Sequence, residues 1–573
     1  MPPRKTIYLP TKDYELPDID ILTLIYDSPE SWTQESTVLH AEAALPSNAV
    51  TKAQARIYTR RLAWVFRHVF SIGANGPGKD VVVCISSGQV LLSNVFYGVI
   101  AAGGVYSAAS SSFTAGELAR QIKQGRSSCI VCSEDCRDVA VKAAKDCGVP
   151  LSRVLVLESM GGKRALRDVE NKGRNWLDGG EDEWVRKGDL LDWERITHKQ
   201  TLKERVICLL YSSGTTGVPK GVNITHANLV SEGLIPQYQI RQYFAHQRRL
   251  NPAYSFEYRT LAHLPAAHIA GCQGYFVNPS VAGGPVYWMP KFDFPLFLEY
   301  NRRYKITTFF TVPPIYLLIA KSPLVTDQFA SLVHAITGAA PMGAELQAMA
   351  EKKLGCQISQ TWGLSETTGS VTAMPWDQKD ETGSVSPLLP NVRMRIVDDE
   401  ENDVEEGQEG EFIVQGPMVT TGYWDNAAAT KEAFTRDGAW FKTGDVGLCK
   451  NGKFYVVDRK KELIKYKGLQ VAPAELEALL LSHKLILDAA VIGVPDPSGS
   501  GNELPRAYVV ADKSKISEQE IKAFVSQNLA QHKQLRGGVI YLDAIPKSPS
   551  GKILRRELRE LAKRERVAGQ AKI

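Results

Sequence analysis

Short apolar runs alternating with helix-patterned stretches predict an α/β fold with largely parallel sheets. The strand-like runs are Val81–Ile85, Cys129–Cys132, Val154–Leu157, Val206–Leu210, Thr307–Thr311 and Ala335–Thr337. Strands spaced by helices are the pattern of doubly covered parallel sheets. From about residue 375 the texture changes: Val392–Val397, Gly410–Gln415 and Lys453–Val457 are short strands with glycine turns, which predicts a small β-rich subdomain. Beyond the charged junction Arg459-Lys460-Lys461-Glu462 comes a compact α+β unit of about a hundred residues. A chain of 573 residues is too long for one core, so at least two domains are expected.

The elements follow in order. Met1–Asp20 is polar and contains prolines, so no N-terminal signal peptide is expected. Val81–Ala109 is the most apolar region, but Ser86-Ser87-Gly88-Gln89 and Gly103-Gly104 break it. It reads as strand, loop and buried helix rather than a membrane span. Cys129, Cys132 and Cys136 approach a metal spacing with no histidine nearby, and core cysteines are the better reading. Nine scattered cysteines suit a reducing compartment. Residues 160–203 are polar, charged and glycine-containing and read as an insertion or surface connection. In the last unit, Pro473–Ser482 is an amphipathic helix with proline at its start, Ala489–Val494 and Arg506–Ala511 are strands, and Ser517–Leu529 is a helix. Ile553–Arg566 is helical, and its interleaved charges read as a solvated face. Hydrophobic residues at 44% and charged residues at 23% are ordinary soluble values, and a net charge of +5 does not argue for nucleic acid.

Tyr211-Ser212-Ser213-Gly214-Thr215-Thr216-Gly217-Val218-Pro219-Lys220-Gly221 follows the apolar run Val206–Leu210. Glycines let backbone N–H groups turn towards an anion, hydroxyls add donors, and Lys220 adds positive charge. It is not a Walker A loop, because Lys220 follows Pro219 and precedes Gly221. The segment closely resembles the phosphate loop of acyl-adenylate-forming enzymes. That superfamily includes acyl-CoA synthetases, 4-coumarate–CoA ligases, beetle luciferases and peptide-synthetase adenylation domains.

Further segments in the same order resemble the other boxes of that superfamily over about residues 40–560. Gln360-Thr361-Trp362-Gly363-Leu364-Ser365-Glu366 resembles its Gln-Gly-Tyr-Gly-x-Thr-Glu box, with Thr361 for a pocket glycine and Trp362 for the tyrosine over adenine. By resemblance, Ser365 belongs to the nucleotide site, and Glu366 is the Mg²⁺ ligand, a hard-oxygen donor. Trp440-Phe441-Lys442-Thr443-Gly444-Asp445 resembles the box whose aspartate holds the ribose hydroxyls. Asp458–Gln470 carries five basic residues and resembles the hinge. There Arg459 would contact ribose, Lys461 would be the pivot, and Lys465 and Gln470 would belong to one of two active-site arrangements. Lys467 and Gly468 would lie near the pantetheine tunnel. Pro546-Lys547-Ser548-Pro549-Ser550-Gly551-Lys552 resembles the motif with the adenylation lysine, whose cation brings carboxylate and α-phosphate together. His268 would stand at the mouth of the acyl site, and Ala270, Gly274, Ile336, Ala339 and Thr361 would line the pocket. Ala270 replaces the family's pocket tyrosine.

The resemblance implies an ATP-dependent acyl- or aryl-CoA ligase closest to the 4-coumarate–CoA ligase branch, with ATP, Mg²⁺ and CoA as its small molecules. It implies a large N-terminal adenylation domain of stacked, mostly parallel sheets (1–458) and a small mobile α+β C-terminal domain (459–573). The expected acid is cinnamate-like or medium-chain. Two other readings are an adenylation enzyme loading a separate carrier protein, since only 21 residues follow Lys552, and a non-catalytic acyl or nucleotide sensor. The tail Ala571-Lys572-Ile573 is a small-basic-aliphatic tripeptide of the peroxisomal import type, so a peroxisome and its import receptor are expected, the cytoplasm otherwise.

Overall fold

The computed structural model describes residues 6–170, 173–212, 219–467, 469–497, 501–548 and 551–570. Its largest sheet has seven strands, ordered Ala165–Asp168, Val154–Glu158, Cys129–Ser133, Val81–Ile85, Val105–Ala109, Val206–Ser212 and Lys220–Thr225. The inner pairings are parallel, and both edge strands are antiparallel. The strands Val81–Ile85, Val105–Ala109 and Cys129–Ser133 are buried at every position, which explains their largely apolar sequence, with Ser107 and Ser133 the exceptions. The helix Leu92–Ala101 is likewise buried all round, so the apolar region Val81–Ala109 is strand, loop and core helix. Among the described residues no helix is long and apolar enough to cross a membrane.

A second, wholly parallel sheet joins Thr308–Thr311, His334–Thr337 and Ile358–Gln360. A third is built from Thr260–Ala262, Val286–Trp288, Val38–Glu42 and Ala49–Thr51. The β-rich subdomain is the antiparallel meander Arg393–Val397, Gly410–Gln415, Phe441–Lys450 and Lys453–Arg459. After it the chain forms a separate core around Leu476, Leu480, Val491, Val509 and Ile521. That unit has the strands Ile486–Pro495, Glu503–Ala511 and Val539–Tyr541 and the helices Pro473–Ser482, Glu518–Asn528 and Arg555–Gln570.

Cys129 and Cys132 sit three apart on one strand, so their side chains face opposite sides of the sheet and pack into different clusters. Burial pushes the Cys129 thiol up to about 12, as befits a core side chain.

Two expectations need correction. Residues 160–203 are not a surface connection. Ala165–Asp168 is the edge strand of the main sheet, and Trp176, Trp184 and Trp193 are buried in the main core. The polar average hid three tryptophans spaced along the segment. The charges of the last helix are not all solvated either. Arg555 donates to both carboxylate oxygens of Glu477 at 2.7 and 2.8 Å, and Arg559 pairs with Glu462. Helical periodicity places charges on a face but does not say what covers it.

Candidate active site

The sheets, the meander and the C-terminal unit enclose one continuous cavity of about 2870 Å³. A drug-sized ligand needs ~300–1,000 Å³, so this space holds an acid and a nucleotide together. The antiparallel pairing of Val206–Ser212 with Lys220–Thr225 sets Ser212 directly opposite Lys220 at its wall. Ser213, Gly214, Thr215 and Thr216, read as phosphate-binding, lie outside the described residues.

Ser212 Oγ donates to Glu366 Oε1 at 2.8 Å, and the Tyr423 hydroxyl donates to the same oxygen at 3.0 Å. Lys220 Nζ lies 5.1 Å from the centre of the Tyr423 ring. Tyr423 was not singled out by the sequence reading. Its signal, in hindsight, is the aromatic pair Tyr423-Trp424 directly after Gly422. Mg²⁺ takes one or two carboxylates and fills its octahedron with waters and phosphate oxygens. One carboxylate with the Ser212 and Tyr423 hydroxyls against it fits that demand.

Asp445 is buried on the strand Phe441–Lys450. Its Oδ2 accepts the Trp362 indole N–H at 2.7 Å, and its Oδ1 lies 3.4 Å from Arg459 Nε. Burial raises its pKa, while Arg459, Trp362 and Lys552 pull it back down. Trp362 also meets Phe412 edge-on with centroids 5.2 Å apart. The indole therefore holds the aspartate as well as lining the cavity. Gln360 spends its amide hydrogens on the Met342 carbonyl and on Gln347, both at 3.0 Å, so it braces the box from inside. Ser365 lines the cavity beside Glu366.

Lys552 reaches this cavity from the C-terminal unit. It sits on a tight turn: Ser548 N–H donates to the Lys552 carbonyl and Gly551 N–H to the Ser548 carbonyl, each at 2.8 Å. Gly551 has φ +79°, and a Cβ there would stand 3.0 Å from Val312 Cγ2 of the large domain. Glycine thus lets the turn seat against the cavity wall. Burial lowers the Lys552 pKa to about 8; Arg459 and Lys461 add to the shift, and Asp445 and Glu366 oppose it. Lys461 is lowered too, chiefly by burial and then by Arg459.

His268 caps a short helical turn, its Nδ1 accepting the Ala270 N–H at 3.3 Å. That leaves the hydrogen on Nε2. Burial and the nearby Lys552 depress its pKa to about 3, so the ring is neutral at ordinary pH. Ala270, Gly274, Ile336, Ala339 and Thr361 all line the cavity, as expected. Gly274 lies in a π-helical turn, Cys272–Val277, a device often found where a helix is re-aimed at a functional site. A Cβ built on Gly274 meets nothing within 4 Å. Thr361 Oγ1 donates to the Thr372 carbonyl at 2.5 Å, which turns its methyl to Gly338.

Three expected residues stand elsewhere. Lys465 and Gln470 face each other across the hairpin Ile464–Tyr466/Leu469–Val471 and are exposed, outside the cavity wall. Lys467 is exposed as well, its Nζ 5.5 Å from the Tyr466 ring centre. Gly468 lies outside the described residues. Of the two lysines singled out for chemistry, this structure brings only Lys552 to the site.

One cavity thus gathers Ser212, Lys220 and Glu366 on one wall, the buried Asp445, and Lys552 from the C-terminal unit. Residues 33–424 match the model of the AMP-binding enzyme family, and residues 475–552 match the AMP-binding enzyme C-terminal domain. The chain is 56% identical to an Emericella nidulans protein named as an acyl-coenzyme A synthetase, covering 97% of this chain and 98% of that one. It is 33% identical to a phenylacetyl-CoA ligase of Aspergillus niger, covering 95% and 97%. The solved structure of ATP-bound MatB from Rhodopseudomonas palustris superposes with a TM-score of 0.77 at 26% identity, covering 95% of this chain and 99% of that one. The chain belongs to the AMP-binding enzyme family and, within it, to the ATP-dependent ligases that join a carboxylic acid to CoA.

Proposed function

We propose that this ligase acts on an aromatic, cinnamate-like acid or a medium-chain acid, and that it divides the work between two arrangements of its C-terminal domain. In the first half-reaction a carboxylate oxygen attacks the α-phosphorus of ATP, the bond to the β-phosphate breaks, and acyl-AMP and pyrophosphate form. In the second, the CoA sulfur attacks the acyl carbonyl, the carbon–oxygen bond to phosphate breaks, and AMP leaves. No covalent enzyme intermediate is required, so the residues position the reactants and neutralise charge.

The observation that carries this reading is half-buried Lys552 set in one cavity with Asp445, Glu366 and His268. Asp445 would accept the ribose hydroxyls beside Arg459, and Lys552 would bridge the carboxylate and the α-phosphate. Neutral His268 would offer its Nε2 hydrogen to the carboxylate. Glu366, with Ser212 and Tyr423 around it, would hold Mg²⁺, which when bound lowers the charge on the phosphates. The exposure of Lys465 and Gln470 supports a second arrangement in which the domain, from residue 459 onward, turns about Lys461 and presents them to the thioester-forming step.

A small-residue wall at Ala270, Gly274 and Ala339 supports a ring or a medium chain. The test is a pyrophosphate-release screen over cinnamates, C6–C10 acids and long-chain acids, with and without CoA. A kcat/KM that stays flat or rises towards long chains would refute the preference. Adenylation without thioester formation from CoA would favour a carrier-loading enzyme. The tail Ala571-Lys572-Ile573, outside the described residues, supports peroxisomal import. A reporter fused ahead of it should become peroxisomal in a host cell, and a cytosolic reporter would refute that placement.

A further inference from the structure

Lys321 ends the helix Pro313–Lys321 of the large domain, and its side chain is half-buried. Its Nζ donates to two backbone carbonyls of the C-terminal unit, Ile486 at 2.7 Å and Leu481 at 3.5 Å. Leu481 lies in the last turn of the helix Pro473–Ser482, where carbonyls lack a partner within the helix and the dipole favours a cation. Ile486 opens the strand Ile486–Pro495. Burial lowers the pKa of Lys321, and Asp488 of the C-terminal unit opposes the shift. A half-buried lysine gives up hydration and rotamer freedom. What it gains here are bonds across the seam between the two units.

The same helix meets the C-terminal unit at its other end. Gly551, the residue before Lys552, passes so close that a Cβ there would stand 3.0 Å from Val312 Cγ2 and 3.4 Å from Pro314 Cγ. Within the C-terminal unit, a chain of contacts leads from the Lys321 end to the same turn. Two residues after Ile486, the Asp488 carboxylate accepts Lys547 Nζ at 2.6 Å. Lys547 forms a β-bridge with Ile553, which closes the loop presenting Lys552. On the far side, Arg555 donates to both carboxylate oxygens of Glu477 at 2.7 and 2.8 Å. The Lys552 turn is therefore tied to the C-terminal unit on both sides. Whether Lys552 reaches the cavity depends on where that unit docks.

We infer that Lys321 is a positioning residue for acyl-AMP formation: its bonds to the Leu481 and Ile486 carbonyls hold the C-terminal unit in the arrangement that seats Lys552 in the cavity. The inference rests on the proposed alternation between two arrangements. A turn of the unit about Lys461 parts these carbonyls from Lys321 and returns both sides to water, so the bonds belong to one arrangement alone. A contact made in only one of two states shifts their populations by its net worth. For hydrogen bonds to a charged group that is about 10–100-fold in the equilibrium constant.

The test is single-turnover kinetics of the full-length enzyme in each half-reaction, using the acid that the pyrophosphate-release screen ranks first. One rate is acyl-AMP formation from that acid and ATP; the other is thioester formation from supplied acyl-AMP and CoA. Lys321→Met keeps the stem of the side chain and removes the charged donor. The ratio of the first rate to the second follows the balance between arrangements, so it should fall about 10–100-fold with the second rate undiminished. A misfolded enzyme loses both rates, so the surviving second half-reaction separates undocking from unfolding. Lys321→Arg keeps a cation with several donors and should recover most of the ratio. An unchanged ratio in Lys321→Met, whether both rates hold or both fall, would overturn the inference. So would a ratio in Lys321→Arg no higher than in Lys321→Met. Lys552→Ala, run alongside, tells this failure from that of the alternation. If it slows both halves alike, the alternation falls and this inference with it; if it slows only acyl-AMP formation, the alternation stands whatever Lys321 does.

Discussion

Lys552 shows how one residue's surroundings set its chemistry. In the proposed role its ammonium would have to be charged to draw a carboxylate and a phosphate together, yet burial brings its pKa down to about 8. The cation is therefore present below that pH and lost as pH rises through it. We predict that kcat/KM for acyl-AMP formation falls about tenfold per unit above pH 8, because that ratio reports the free enzyme. Bound phosphates would stabilise the cation, so kcat at saturating ATP should hold to higher pH. A pH profile of pyrophosphate release checks both limbs. Trp362 gives a second residue-scale prediction. Its 2.7 Å hydrogen bond fixes the Asp445 carboxylate inside the protein. Trp362→Phe keeps an aromatic ring but removes the donor, and hydrogen bonds to charged groups contribute about 1.5–3 kcal/mol. The KM for ATP should rise roughly 10–100-fold. With 2′- or 3′-deoxy-ATP the effect should shrink, because the contact that Trp362 supports is already lost.

At the scale of the element, the π-helical turn Cys272–Val277 decides pocket depth. Gly274 leaves open space where a Cβ would stand, so Gly274→Leu should shorten the acyl pocket. Activity on the longest accepted acids should fall at about 1–3 kcal/mol per methylene excluded, with short acids spared. A chain-length series of kcat/KM checks it. The last helix offers a stability prediction. Half-buried Arg555 at its start pairs with buried Glu477, whose carboxyl is pushed up to about 7 by burial against the pull of Arg555. Removing one partner of such a pair leaves a buried uncompensated charge. Arg555→Ala should destabilise the C-terminal unit by about 3–5 kcal/mol in denaturant titration. The double change Arg555→Met with Glu477→Leu should recover much of that loss, because both buried charges go together.

For the molecule as a whole, the proposed function gives chemistry to two lysines of the C-terminal unit that stand in different places. Lys552 lies inside the cavity while Lys465 sits on an exposed hairpin. Presenting them in turn requires the C-terminal unit to rotate. Lys552→Ala should lower acyl-AMP formation about 10²–10³-fold yet still convert supplied acyl-AMP and CoA to thioester. Lys465→Ala should slow mainly the second step, and Lys461→Pro should spare adenylation while blocking the swing. Single-turnover kinetics of each half-reaction separates these outcomes. Equal slowing of both halves by Lys552→Ala would rule out alternation.

The sequence by itself determined the layered α/β frame, a small β-rich subdomain, the C-terminal unit and the order of the site boxes, but not the strand Phe441–Lys450 that carries Asp445. These are local facts: apolar runs make buried strands, glycine turns separate the short ones, and proline marks the start of Pro473–Ser482. The resemblance of contiguous motifs to a known family grouped Ser212, Lys220, Glu366, Asp445, His268 and Lys552, and all six line one cavity. Only the tertiary structure decided what depends on contacts between distant residues. Tyr423 reaches Glu366 from 57 positions away, and Trp362 reaches Asp445 from 83. Three tryptophans of residues 160–203 were hidden by a polar average and lie in the core. Burial and partnership are properties of the packed molecule, and a linear pattern records neither.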